Sequence, residues 1–272
     1  MSFFERFLQK KFDLREEINN INELLEMKCG NFSIENEISF NFLNWPLRRT
    51  YVNFDDFMEK EGLNKVFELA YNEKSINLEQ YVDLVEVIMS LLNYFQLEIR
   101  SFNSYKALIE NISKVIDSLN FEIRYINSIH NCSYAICVPK DFKVTEAAEI
   151  VDDENLAEKI YLFKYRKMKG NIYEKAIILS RLFMYFEGIR SNLQKNNFAG
   201  LCRVIGELSD KLNVRHKPKG YEELVVKELE DEELESTYDK LFETYLTAIV
   251  INQYFCNKEQ LEEIRNKFNK KH

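Results

Sequence analysis

The pair Arg215-His216 is the clearest candidate for chemistry in this chain of 272 residues, which contains only three histidines. Histidine titrates near neutral pH, and the arginine guanidinium matches the oxygen atoms of a phosphate. Together they could bind a phosphate and transfer a proton, as metal-free RNA cleavage by the 2′-hydroxyl group requires. A structural role also explains the pair, because basic side chains stabilise the last turn of a helix. The residue types leave both interpretations open.

The helix that positions this pair is predicted from the apolar spacing over about 199–215. Pro218 disfavours helical geometry at the preceding residue, so the helix is expected to end at about His216. Glu187 lies three residues before Arg190, and the two are expected to pair on the preceding helix. The expected contacts for a nucleic-acid backbone are the basic residues around this helix end, namely Arg190, Arg203, Lys217 and Lys219.

Hydrophobic periodicity predicts a mainly α protein, a helical bundle with a small β-hairpin element. Seven glycines and three prolines are too few for a chain of short strands joined by tight turns. Alternating apolar and polar residues predict the hairpin at about 121–138. The expected helices span about 3–27, 55–72, 78–98, 101–119, 154–168, 171–196, 199–215, 230–256 and 258–270, with a further helix starting at Thr145.

The segment 31–50 is expected to be a short strand or an extended arm. Ile38, Phe40 and Phe42 alternate with polar neighbours there, and a proline follows Trp45. Trp45 is expected to anchor the arm on a hydrophobic core.

The natural division of the chain lies just after the hairpin. Residues 1–144 form an N-terminal helical region that ends in the hairpin, and residues 145–272 form a C-terminal helical bundle. The two most apolar helices of the second region contain "YEKAIILSRLFMYFEGI" and "YDKLFETYLTAIVINQYF". They are expected to pack antiparallel.

The helical series of the C-terminal half carries a resemblance to a known family. Its helices are "KGNIYEKAIILSRLFMYFEGIRSNL", "FAGLCRVIGELSDKLNVRHKPKG" and "EELESTYDKLFETYLTAIVINQYF", with the Arg-His pair between two of them. This series resembles the helical domain of bacterial abortive-infection proteins, a branch of the HEPN superfamily, over somewhat less than half the chain. Active HEPN nucleases separate the arginine from the histidine along one helix, whereas here the two residues are adjacent.

The resemblance implies a homodimer with a role in antiviral defence or as a toxin, encoded by a bacterium or a phage. It also implies a metal-independent ribonuclease activity, in which Arg215 binds a phosphate and His216 acts as acid or base. RNA would then be the partner of the site, and no cofactor would be needed.

Composition excludes several other classes. A net charge of −8 and a pI near 5.2 oppose a DNA-coating role, because the overall field repels a polyanion. Charged residues throughout the N-terminal stretch differ from a secretory signal, and no uncharged apolar run could cross a bilayer. A cytoplasmic protein without a membrane role is therefore expected. Neither a metal site nor a disulfide framework is indicated by the scattered cysteines Cys29, Cys132, Cys137, Cys202 and Cys256.

Two other functions stay open beside action on RNA. The protein could be a non-catalytic helical protein whose amphipathic helices bind a protein partner or a second copy. It could also be a small-ligand sensor with a pocket between its two halves.

Overall fold

The computed structural model describes residues 13–48, 50–127, 132–215 and 229–269. Within these ranges the chain is mainly α-helical with a two-stranded antiparallel hairpin, so the predicted fold class is confirmed. The chain divides into two compact units, Met1–Pro139 and Lys140–His272. None of the helices in these ranges combines the length and the apolar character that a membrane crossing requires.

Unit 1 contains seven described helices and the hairpin. The helix Leu78–Tyr94 is buried on most of its surface, and a capping box between Asn77 and Gln80 begins it. Short 3₁₀ turns follow the helix Ile34–Asn41. The elements are α1 (Leu14–Glu26), α2 (Ile34–Asn41), α3 (Phe54–Lys60), α4 (Leu63–Tyr71), α5 (Leu78–Tyr94), α6 (Gln96–Ile99), α7 (Asn103–Ser118), β1 (Phe121–Asn127) and β2 (Ser133–Pro139).

The prediction of a strand or arm over 31–50 is wrong. Ile34, Ile38 and Phe42 are all buried, at four-residue intervals, whereas Phe40 is 85% exposed. This period belongs to a helix, and Ser33 caps α2 by accepting a hydrogen bond from the backbone N–H of Asn36 at 3.2 Å.

The expected anchoring role of Trp45 is confirmed. Its side chain is only 5% exposed, and its ring packs edge-on against Phe57 with 5.5 Å between the ring centroids.

Several helix boundaries in unit 1 differ from the predictions, and two of the differences have a clear physical reason. The helix predicted over 3–27 instead begins at Leu14, because Asp13 has extended backbone geometry and accepts a hydrogen bond from the N–H of Arg15. Residues 3–12 lie outside the described ranges. The helix predicted over 55–72 is divided into α3 and α4 by Gly62, whose φ of 73° is left-handed.

The hairpin has the predicted position. Phe121 pairs with Pro139 at its open end, and Asn127 pairs with Ser133 next to the turn. Side chains of α5 bond the outer edge of β2: the N–H of Ala135 donates to Ser90 Oγ at 2.8 Å, and the N–H of Cys137 donates to Glu86 Oε1 at 2.8 Å. The helix therefore provides side-chain acceptors for backbone donors of β2.

Unit 2 contains the helices α8 (Phe142–Ile150), α9 (Glu154–Phe163), α10 (Ile172–Lys195), α11 (Ala199–Lys211) and α12 (Asp231–Asn269). The helix predicted to start at Thr145 begins earlier, because Asp141 caps it through hydrogen bonds from the backbone N–H groups of Lys143 and Val144. The two helices predicted over 230–256 and 258–270 are one helix of 39 residues, since no glycine or proline interrupts "FCNKEQ".

The helices α10 and α12 pack closely but run parallel, so the expected antiparallel arrangement is wrong. Lys175 near the start of α10 contacts Asp239 near the start of α12, and Asn192 near the end of α10 contacts Asn252 further along α12. The helix between them in sequence, α11, runs in the opposite direction: Phe198 at its start packs against Phe255. Because α11 carries the chain back, α12 can follow the direction of α10.

Candidate functional site

The helix α11 ends at Lys211, before the position predicted from Pro218. Asn213 has a left-handed backbone with φ of 55°, and the N–H groups of Val214 and Arg215 both donate to the carbonyl oxygen of Ser209, at 3.0 and 3.2 Å. Asparagine tolerates this conformation, which ends a helix and satisfies its last carbonyl groups. The predicted end at His216 is therefore wrong, and Arg215 lies beyond the helix.

Arg215 is held against unit 2 by two side chains. Its Nη1 donates to both carboxylate oxygens of Asp210, at 2.9 and 3.1 Å, and its guanidinium lies over the ring of Phe183 at 5.6 Å. The hydrogen bond and the charge of Asp210 raise the pKa of Arg215 above its usual value. The predicted partner His216 and the predicted contacts Lys217 and Lys219 lie outside the described ranges.

The structure brings together three of the predicted cationic residues. Arg190 on α10, Arg203 on α11 and Arg215 line one cavity of about 230 Å³, which we call the arginine cavity. The Nη2 atom of Arg190 lies 3.8 Å from the place where a Cβ atom of Gly206 would be, so this guanidinium reaches across to α11.

Each arginine of this cavity has a carboxylate partner. Arg190 pairs with Glu187 at 2.8 Å, as the sequence predicts, Arg203 approaches Glu207 at 3.9 Å, and Arg215 pairs with Asp210. A phosphate would have to compete with these carboxylates for the guanidinium groups. The volume is below the roughly 300–1,000 Å³ that is typical of small-molecule sites, so the cavity suits a single anionic group.

Within the described ranges, no three His, Cys, Asp or Glu side chains are grouped as metal ligands.

Sequence reasoning missed two ion pairs formed by a buried lysine in unit 2. The side chain of Lys175 is 6% exposed, and its Nζ lies 2.7 Å from both Glu235 and Asp239 of α12. Partial burial opposes the ionisation of Glu235. The hydrogen bonds from Lys175 and from the N–H of Gly170, together with the charges of Lys175 and Lys169, outweigh it and lower the pKa of this carboxyl. The sequence indicated this lysine by its position on the apolar face of "YEKAIILSR". Its ion pairs with Glu235 and Asp239 connect the two parallel helices.

The end of α12 is a second candidate site, on a surface that sequence reasoning did not single out. Every residue from Asn257 to Lys267 is exposed. Large apolar side chains are nevertheless present: Tyr254 is 63% exposed, Leu261 66% and Ile264 48%. At about 100° per residue, these three side chains fall within a sector of about 80°. We call them the α12 stripe.

Charges are arranged asymmetrically around the α12 stripe. In the same helical projection, Lys258 and Arg265 flank one side of it and Lys267 lies beyond the other, whereas Glu259 and Glu263 lie on the opposite face. Lys258 has an acidic neighbour on the helix, since its Nζ lies 4.0 Å from Glu262. The stripe is therefore an apolar surface with basic margins.

Comparisons of the chain with models of protein families, with curated proteins and with solved structures found no match. The resemblance to the abortive-infection domain stays a prediction from the sequence.

Proposed function

We propose that this chain is a non-catalytic interaction protein that binds an amphipathic helix of a partner protein along the α12 stripe. The observation that carries the proposal is the exposure of Leu261 and Ile264 on a helical segment whose residues 257–267 are all exposed. Clustered large apolar side chains on an exposed surface mark interaction sites, because water contact with them is unfavourable. A straight helix with one apolar stripe pairs naturally with a second helix.

The basic residues beside the α12 stripe determine which charges a partner helix should have. A second copy of α12 would bring Lys258, Arg265 and Lys267 close to the same cations, and like charges beside a helix pair weaken it. An amphipathic helix with acidic residues beside its apolar stripe would pair with them instead. The proposed partner is therefore a different protein that presents an acidic amphipathic helix.

The proposal predicts selective binding of a designed peptide. The probe is a heptad-repeat peptide with leucine at positions a and d and glutamate at e and g, and its counterpart has lysine at e and g. We expect the full chain to bind the glutamate peptide in a fluorescence anisotropy titration. The change of Leu261→Ser with Ile264→Ser should weaken binding at least about tenfold, since burial of each such side chain contributes about 1.5–3 kcal/mol.

The matched control is Glu259→Gln with Glu263→Gln on the opposite face of the same segment. This variant should bind as tightly as the unchanged chain, and both variants should keep the helical circular dichroism because all four positions are exposed. Equal binding of the two peptides, or full binding by the serine variant, would contradict the proposal. Light scattering that shows self-association lost in the serine variant would identify a second copy as the partner instead.

Action on RNA is the second candidate function, and the arginine cavity is the observation that favours it. Three guanidinium groups from α10, α11 and the segment after α11 surround one small cavity, and Phe183 provides an aromatic face beside them. Guanidinium groups bind phosphate oxygens in pairs of hydrogen bonds. In this proposal, Arg215 holds a phosphate of RNA and His216 moves the proton, in a metal-independent ribonuclease of the abortive-infection type.

The second candidate predicts that RNA affinity depends on the arginine cavity. The change of Arg190→Gln with Arg203→Gln should weaken the binding of a fluorescein-labelled single-stranded RNA at least about tenfold and should reduce the salt dependence of binding. The control Arg100→Gln removes an exposed arginine of unit 1 and should leave both unchanged.

Catalysis is tested separately from binding. His216→Ala should abolish RNA degradation while the RNA still binds, and a chelator should leave the degradation by the unchanged chain intact. An unchanged chain that binds no RNA would exclude this candidate, whereas binding without degradation would exclude only its catalytic step.

A further inference from the structure

Unit 1 contains a cavity that neither proposed function uses. Its volume is about 440 Å³, within the roughly 300–1,000 Å³ that is typical of small-molecule sites. Side chains of α1, α2, α3, α4 and α5 form its walls, so it lies among helices of a single compact unit. We call it the unit 1 cavity.

The inner wall of this cavity is apolar. Ile38, Phe54, Ile88 and Leu91 line it, and each of these side chains is at most 8% exposed. These residues come from three different helices, which pack around the space rather than filling it. An apolar wall of this kind favours the aliphatic or aromatic body of a ligand, because binding removes both surfaces from water.

The polar part of the cavity has one sign of charge. Glu26 on α1, Glu35 on α2 and Glu68 on α4 line it, and no lysine, arginine or histidine stands among its described lining residues. Of the three, Glu35 is half-buried, whereas Glu26 and Glu68 are exposed. Three carboxylates beside an apolar wall create a negative potential that attracts a cation.

Glu35 differs from the partly buried glutamates of unit 2. Glu235 and Glu243 each have lysine partners, whereas Glu35 forms no ion pair within the described ranges. Burial raises the pKa of Glu35, and the neighbouring carboxylates of Glu26 and Asp55 raise it further. The ionised form of Glu35 is thus less favourable than in water, and a cation bound beside it would reverse this effect.

Two aromatic side chains stand one helical turn apart on α4 at the same cavity. Phe67 is partly buried, and Tyr71 is 83% exposed although it is a large aromatic residue. Aromatic faces attract ammonium groups through their negative electrostatic potential. Carboxylates and aromatic rings therefore act on the same kind of ligand.

We propose that the unit 1 cavity binds an organic cation, in which an ammonium group is attached to an aliphatic or aromatic body. The ammonium group would lie beside Glu35 and near the α4 rings, and the body would contact the apolar wall. A bare metal ion would leave the apolar wall unused, and an anion would meet three carboxylates. This site is independent of the α12 stripe and of the arginine cavity, which belong to unit 2.

The test uses four small probes that share a phenyl group and differ in charge. Benzyltrimethylammonium and phenethylamine are the cations, 2-phenylethanol is the neutral analogue and 3-phenylpropionate is the anion. We expect both cations to raise the melting temperature of the full chain and to give saturable binding in calorimetric titrations. The neutral and anionic analogues should bind at least about tenfold more weakly.

The location of the site is tested by Glu35→Gln, which keeps the shape of the side chain and removes its charge. This variant should bind both cations at least about tenfold more weakly, and its own melting temperature should be equal to that of the unchanged chain or higher, because repulsion from Glu26 and Asp55 is relieved. The matched control Glu59→Gln removes an exposed carboxylate that does not line the cavity and should bind the cations normally. Absence of cation binding, equal binding of the neutral analogue, or full binding by Glu35→Gln would overturn the proposal.

Discussion

Two polar side chains on α5, Glu86 and Ser90, connect the hairpin to the helices of unit 1. Both are about 5% exposed, and they lie one turn apart among the buried residues of the helix. Each accepts a hydrogen bond from a backbone N–H of β2, Ser90 from Ala135 and Glu86 from Cys137. Their cost of burial is thus offset by two satisfied donors, and the sequence signal was their spacing of four residues.

The role of Ser90 predicts a specific loss of stability. Ser90→Ala should lower the free energy of unfolding by about 1–3 kcal/mol, because it leaves the buried N–H of Ala135 without an acceptor. Chemical denaturation measures the loss, and amide hydrogen exchange at Ala135 should accelerate. The control Ser104→Ala removes another buried serine of unit 1, one that accepts no hydrogen bond from the hairpin within the described ranges. Equal losses in the two variants would show that the bond to Ala135 adds nothing.

At the scale of elements, single residues decide where helices begin and end. Gly62 separates α3 from α4 through its left-handed backbone, and Asn213 ends α11 in the same way. Gly62 lies inside the helix predicted over 55–72, and Asn213 lies just before the predicted end of the helix over 199–215. Hydrophobic periodicity therefore locates these two helical regions but extends the predicted helices across the breaks.

The break at Gly62 gives a paired prediction. Gly62→Ala should destabilise unit 1 by about 1–2 kcal/mol, because a side chain disfavours the left-handed conformation although no atom lies within 4 Å of the added carbon. Gly188→Ala, in the middle of α10 and equally unobstructed, should instead stabilise unit 2 by about 0.5–1 kcal/mol. Thermal denaturation of both variants measures the two changes. A stabilising effect at both positions would show that Gly62 is not constrained by its conformation.

The length of α12 is a second feature at this scale. Thirty-nine residues at 1.5 Å each make a helix of about 58 Å. Its earlier part contributes Tyr238, Leu241, Phe242 and Tyr245 to the core of unit 2, whereas residues 257–267 are all exposed. Because the helix is continuous, the α12 stripe lies on the same helix that contributes these core residues.

At the scale of the whole molecule, the net charge of −8 conceals strong local differences. The arginine cavity has an equal number of guanidinium groups and carboxylate partners, the margins of the α12 stripe are basic, and the unit 1 cavity is acidic. Each candidate site therefore has its own electrostatic preference, which the overall composition does not reveal. Because the sites use different residues, the failure of one proposal leaves the others to be judged on their own experiments.

The sequence by itself determined the helical class, the hairpin, the burial of Trp45 and the pairing of Glu187 with Arg190. These features depend on the spacing of residues close together in the sequence. Residues separated by the period of a helix or a strand lie on the same face of that element. The same reasoning failed over 31–50, because the segment contains too few apolar residues to distinguish the period of a strand from that of a helix.

Only the tertiary structure decided which distant residues meet. Arg190, Arg203 and Arg215 share a cavity because α11 turns back along α10, and α10 and α12 run parallel for the same reason. The unit 1 cavity collects side chains from five helices, and the hydrogen bonds of Glu86 and Ser90 join residues about fifty positions apart. Such contacts depend on how whole elements pack against one another. The spacing of residues within one helix does not predict which other element will contact it.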